Sequence, residues 1–195
     1  MSQATDITQQ LPLAWPSYIA GEPVLTDDLL EVRYPWDGSL TGTLPRITPG
    51  QLEQAIEAGL GQAQPPTRNE RYEILMRTRE LLSGRADEFA NLIRLEAGLC
   101  MRETRYEVGR AQEVFKFAAA EALRDDESIF SCDAAKNGPE RKIFTLREPL
   151  GLIAAITPFN HPLNQVAHKL APAIAAGVPV LLKPSSKTPL TAIRL

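Results

Sequence analysis

Leu150-Gly151-Leu152-Ile153-Ala154-Ala155-Ile156 is an unbroken apolar run, followed at once by Thr157-Pro158-Phe159-Asn160-His161-Pro162. A short run without alternation reads as a strand buried on both faces, the habit of parallel sheets. Pro162 then opens a helix carrying His168, Leu170 and Ile174, which ends at Gly177. Val178-Pro179-Val180-Leu181-Leu182 is a second buried strand, and Thr188-Pro189 caps another helix. Strand, helix, strand and helix start make a βαβ unit with a parallel pair, so the fold class is α/β. A doubly wound sheet needs more strands than these two, and Leu195 falls inside what reads as a helix. The sequence therefore reads as the N-terminal part of a larger protein.

Upstream, the period of the sequence is helical. Arg102 to Leu123 is expected to be one long amphipathic helix, with Val108, Ala111, Phe115 and Ala118 on its apolar side. Thr48-Pro49-Gly50-Gln51 and Thr67-Arg68-Asn69-Glu70 both have the capping-box form. The first opens Leu52, Ile56 and Leu60 at spacing four, and Pro65-Pro66 stops that helix. The second opens a stripe of Ile74, Leu75, Thr78, Leu81 and Leu82. Glu88 to Leu95 continues helically towards a C-cap at Gly98. Before the helices, Ser17 to Pro23 reads as a strand entering a tight turn, with Leu29 to Tyr34 as its partner and Pro35-Trp36-Asp37-Gly38 as a further turn. Asp125 to Pro139 is a polar connector, and Arg141 to Arg147 alternates like a strand.

Composition narrows the function. The 195 residues carry 24 acidic and 21 basic side chains, a net charge of -3, which argues against a basic face for nucleic acid. The longest apolar stretch, Leu170 to Leu182, is interrupted by Pro172, Gly177 and Pro179, and falls short of the roughly 20 residues of a membrane span. Met1 to Asp6 lacks the basic start of a signal peptide, and two cysteines cannot build a disulfide framework, so a cytoplasmic setting is expected. No G-x-G-x-x-G or G-x-x-x-x-G-K loop, no G-x-S-x-G elbow and no Cys/His metal cluster occurs.

What carries chemistry is the pair of strand-to-helix junctions, because α/β sheets bind ligands at the carboxyl ends of parallel strands. Asn160 could present fixed amide donors to a ligand, or it could simply cap the helix that follows. Lys183 could reach a nucleotide phosphate or ribose, or stand in solvent at the end of its strand.

Taken together, Arg147-Glu148-Pro149-Leu150-Gly151, Ile156 to Asn164, His168 to Ala173, Ala176-Gly177 and Leu182 to Ser185 resemble the aldehyde dehydrogenase superfamily closely. Tyr18-Ile19-Ala20-Gly21, Glu96-Ala97-Gly98 and Phe144 to Pro149 fall where that family has its early hairpin, a helix end and a strand. The resemblance implies oxidation of an aldehyde by NAD or NADP through a cysteine thiohemiacetal, with a water activated by glutamate. It implies that Asn160 stabilises the oxyanion and that Lys183 contacts the adenosine ribose. Ile156, Thr157, Pro158 and Phe159 would line the cofactor cleft, joined by Ser185 and Ser186. Ser186 stands where many members carry a glutamate on the ribose 2′-hydroxyl, so a 2′-phosphate would be less repelled. The family's nucleophilic cysteine, general-base glutamate and G-x-T-x-x-G-type loop have no counterpart before Leu195, and neither Cys100 nor Cys132 falls at a motif position.

The resemblance divides the chain into residues 1–129, the N-terminal hairpin and helices; 130–148, a hairpin of the oligomerisation sheet; and 149–195, the first βαβ of the nucleotide-binding sheet. Phe159 to Gln165 looks like the branch of lactaldehyde, non-phosphorylating glyceraldehyde-3-phosphate and phosphonoacetaldehyde dehydrogenases. Arg110 falls near the family's substrate tunnel, so with His161 it could hold a phosphate or phosphonate of a small-molecule aldehyde. The plainer readings are a surface ion pair of Arg110 with Glu107 or Glu113, and packing or capping by His161. The full-length protein is expected to be a homo-oligomer, and this chain alone inactive. An inactive short paralogue that binds a full-length partner is the rival expectation, and an acylating member that passes its product to coenzyme A is another.

Overall fold

The computed structural model describes residues 12–62 and 64–195; Met1 to Asp6, read above for a leader, lie outside them. Ala20 and Gly21 both take positive φ, 51° and 85°, the two-residue turn that matches hairpin twist. Ser17–Ile19 (β1) therefore folds straight back onto Glu22–Val24 (β2). This corrects the pairing expected from the sequence, in which Leu29 to Tyr34 was the partner. Leu29–Arg33 (β3) pairs instead with Leu40–Pro45 (β4) across the Pro35 to Gly38 turn. There Gly38 sits at φ 73°, and Asp37 accepts the Ser39 N–H at 2.9 Å. Alternation marks a strand but does not say which strand lies beside it.

The helical layer starts where its caps place it. At the head of α1 (Pro49–Leu60), Thr48 and Gln51 exchange side-chain hydrogen bonds with each other's N–H. Thr67 and Glu70 do the same at the head of α2 (Arg68–Gly84). α3 (Ala86–Ala97) ends on Gly98 in the left-handed region, and α4 (Met101–Ala122) is the long amphipathic helix. Its expected stripe, Val108, Ala111, Phe115 and Ala118, is buried against Leu75, Leu82, Phe89 and Ile93 of α2 and α3. The stripe of α2 is narrower than its spacing suggested, since Ile74 and Leu81 are exposed. On α1, Leu52 and Leu60 are exposed as well.

After α4 come two antiparallel strands, β5 (Ser128–Ser131) and β6 (Lys142–Thr145), every residue of which is exposed. Then β7 (Ile153–Ile156), α5 (Asn164–Ala176) and β8 (Val180–Lys183) form the expected βαβ unit with β7 and β8 parallel. α5 begins at Asn164 rather than Pro162, closes on Gly177 at φ 75°, and packs against α4 and α2. α6 (Leu190–Arg194) follows. The strands are not buried on both faces: Ala155 is covered, but Ile156 is 66% exposed and β8 is at best half-buried. Among the described residues the parallel sheet has two strands only, with α5 packed on β7 and α1 reaching β8.

Candidate active site

Ile156 and Lys183 are register partners, and the Thr157 N–H donates to the Lys183 carbonyl at 3.3 Å. The two parallel strands thus end level, and both junctions leave from one edge of the sheet. Ile156, Thr157, Pro158 and Phe159 stand on one side of this edge, and Lys183, Ser185 and Ser186 on the other. Lys187, which the sequence did not single out, joins them: its ammonium lies 4.5 Å from the centre of the Phe159 ring. Ser185 Oγ accepts the Lys187 N–H at 3.2 Å, tightening the turn after β8. Thr157 is buried, whereas Pro158, Phe159, Lys183 and Ser186 are exposed. A cavity of about 1090 Å³ opens beside Ile156 and Lys183, walled by Leu182 and by Leu52 and Ala55 of α1. Asn160, His161 and Arg110 are not among the residues that line it.

Asn160 is exposed and does not cap α5. That task belongs to Glu107, from the middle of α4. One of its oxygens accepts the N–H of Leu163 at 2.8 Å and of Asn164 at 3.0 Å. Its other oxygen lies 3.4 Å from His161 Nδ1. Glu96 of α3 repeats the arrangement at α6, accepting the N–H of Leu190 at 2.7 Å and of Thr191 at 3.0 Å. Both carboxylates are 2% exposed. Burial pushes the Glu96 carboxyl up to about 7, against the pull of its amide donors, and the charge of Glu107 adds to the rise.

Neither glutamate was recognised as part of a junction. The signal was present for Glu107, three residues after Thr104 and four before Ala111, inside the buried stripe of α4. An acid within an apolar stripe must have found donors elsewhere. For Arg110 the structure corrects the plainer reading. Glu107 is engaged with the α5 amides and Glu113 pairs with Lys116 at 3.1 Å, so Arg110 is in no ion pair among the described residues.

The amides of both helix N-termini are therefore occupied by carboxylates and are not free to cradle a phosphate. What the edge offers a ligand is exposed apolar surface at Ile156 and Phe159, two lysines, serine hydroxyls and an amide. No acid occurs between Ile156 and His161 or between Lys183 and Lys187. Such a set fits a flat, anionic dinucleotide lying across the strand ends.

The comparisons with known proteins give the family of this α/β chain. The chain belongs to the aldehyde dehydrogenase family, whose description matches residues 24–195. It is 37% identical over 183 residues to the 3-sulfolactaldehyde dehydrogenase of Priestia aryabhattai, covering 91% of this chain and 38% of that one. It is 36% identical over 186 residues to the lactaldehyde dehydrogenase of Methanococcus vannielii, covering 91% and 37%. Among solved structures it is similar to the NADP-dependent glyceraldehyde-3-phosphate dehydrogenase of Bacillus halodurans C-125 complexed with NADP. That match has a TM-score of 0.88 and 28% identity, over 94% of this chain and 40% of the other. The chain thus spans well under half the length of these relatives.

Proposed function

We propose that this chain supplies the oxyanion donor and the first cofactor-binding edge of an enzyme that oxidises an aldehyde to a carboxylic acid with NAD or NADP. The observation that carries the reading is the level ending of β7 and β8, which sets the junction of Asn160 beside that of Lys183. When bound, the dinucleotide supplies a hydride acceptor. Asn160 donates its side-chain N–H to the aldehyde oxygen, where negative charge develops, and it is free to do so because Glu107 caps the helix. Ile156, Thr157, Pro158 and Phe159 pack along the dinucleotide, while Lys183 and Ser185 reach towards a ribose. Ser186 brings no negative charge, so NADP is accepted alongside NAD. No thiol is assigned the attack: Cys100 precedes α4 and Cys132 lies in the β5–β6 connection, neither at a strand-to-helix junction of the parallel pair.

The substrate is a small aldehyde bearing an anionic group. The relatives named for sulfolactaldehyde and glyceraldehyde 3-phosphate act on such molecules. Among the described residues the Arg110 guanidinium has no ion-pair partner; it lies one turn beyond Glu107, and Glu107 touches His161. The exposed β5–β6 hairpin joins a sheet between subunits, so the working protein is a homo-oligomer. The reading is tested by mixing the protein, as its gene encodes it, with NAD or NADP and a panel of sulfonated, phosphorylated and neutral aldehydes. Cofactor reduction that favours the anionic aldehydes is expected. Arg110→Ala should raise KM for those aldehydes and not for neutral ones. No reduction with any aldehyde contradicts the function, and equal effects of Arg110→Ala on both classes remove Arg110 from it.

A further inference from the structure

Glu107 and Glu96 stand on neighbouring helices, are equally buried, and turn to pairs of backbone amides rather than to arginines. A buried carboxylate costs free energy unless it is hydrogen-bonded, and the first N–H groups of a helix lack partners within the helix. The residues at the cap positions, Leu163 and Pro189, supply no side-chain cap. The exit of each junction is therefore fixed by an atom from a different element.

We propose that Glu107 is the positioning residue for Asn160, and that Glu96 does the same for the segment from Lys183 to Ser186. The helical layer then sets the two halves of the site separately, one through α4 and the other through α3. The proposal rests on the reading of Asn160 and Lys183 given above. Glu107 grips the segment at both sides of its bend: Oε2 faces His161, next to Asn160, and Oε1 holds Leu163 and Asn164. A shift of that carboxylate moves the amide of Asn160 relative to the substrate, and a misplacement of about 1 Å can cost on the order of 10² in rate.

The oxygens differ in a way that makes the two positions separable. At Glu107 one oxygen takes both amides, so Glu107→Gln still offers an acceptor to both. At Glu96 the amides are divided between the two oxygens, so Glu96→Gln must turn an NH₂ group towards a backbone donor. Glu107→Asp keeps the charge but falls short by one methylene.

The experiment compares these three variants in the protein as its gene encodes it. The readouts are kcat, the Kd for NAD and NADP, and amide hydrogen exchange at Leu163, Asn164, Leu190 and Thr191. Glu107→Gln is expected to keep the protection of Leu163 and Asn164 and a kcat within roughly threefold, because the acceptor survives. Glu107→Asp should lose that protection and roughly ten- to a hundredfold in kcat, with cofactor Kd unchanged. Glu96→Gln should expose Leu190 and Thr191 and weaken cofactor binding, with Leu163 and Asn164 still protected. Unchanged kcat in Glu107→Asp, or parallel losses of kcat and cofactor affinity in Glu107→Asp and Glu96→Gln alike, overturns the proposal. Asn160→Ala run beside them separates the two readings: unchanged kcat there defeats the role of Asn160, whereas lowered kcat there with normal Glu107→Asp defeats only its positioning.

Discussion

Asn160 is free of helix capping because Glu107 has already taken the amides of Leu163 and Asn164. The sequence could not choose between those two roles, since the deciding carboxylate comes from another helix. Ser186 is different, because its meaning is local: an uncharged side chain where a carboxylate would repel a 2′-phosphate. Ser186→Glu should weaken NADP binding by at least roughly tenfold, about 1.4 kcal/mol, and leave NAD binding nearly unchanged, as equilibrium titration with each would show. Glu96 makes a second prediction at this scale. Its carboxyl rises in the folded protein from 4.5 to about 7, so the folded state holds its proton more tightly than the unfolded chain does. Stability from this group is present below pH 4.5 and is lost as the pH rises through 7. A carboxyl signal titrating near neutrality, followed by carbon NMR, would confirm it; one that titrates near 4.5 would not.

Elements whose ends carry their own signals were the most legible. Two capping boxes and the glycines at 98 and 177 bound four helices in the sequence, because a cap uses residues within one turn of itself. Gly177 adopts φ 75°, and a Cβ there would lie 3.0 Å from Arg71 Nη1, the group that donates to the Ala175 carbonyl at 2.9 Å. Gly177→Ala should cost about 1–3 kcal/mol in denaturant unfolding. β3 pairs with the strand that follows it across a local turn, and alternation alone does not choose between a preceding and a following partner. The exposure of β7 depends on what packs over the sheet, which the strand's own residues do not state. The docking of α6 was invisible too. It is held partly by Glu88, which Arg85 and Arg194 bind, so its carboxyl is held down from 4.5 to about 2. Stability from this pairing is present above pH 4.5 and lost as the pH falls towards 2. Arg194→Ala should therefore move the acid-unfolding midpoint upward, while an unmoved midpoint would make the ion pair idle.

At the scale of the whole molecule, the apolar residues that remain outside the core are grouped. Ile129, Phe130, Ile143 and Phe144 crowd one exposed hairpin, and Leu52 and Ile156 border the cavity beside the parallel pair. Patches of this kind mark surfaces meant to be covered. Phe144→Asp should lower the sedimenting mass of the protein while its helical signal is retained; an unchanged mass would exclude the hairpin from subunit contact. The α/β class and the neighbouring junctions were readable from two apolar runs and the residues that follow them. Of the anchoring carboxylates, Glu107 left a signal inside the apolar stripe of α4, whereas Glu96, near a helix end, reads as an ordinary solvated charge. The central claim is that Asn160 acts on the charge that develops on the aldehyde oxygen. Its most direct test is kcat of Asn160→Ala in the protein as its gene encodes it, measured beside the cofactor Kd. The account predicts a fall in kcat of roughly 10²–10³ with cofactor binding intact, and an unchanged kcat would contradict it.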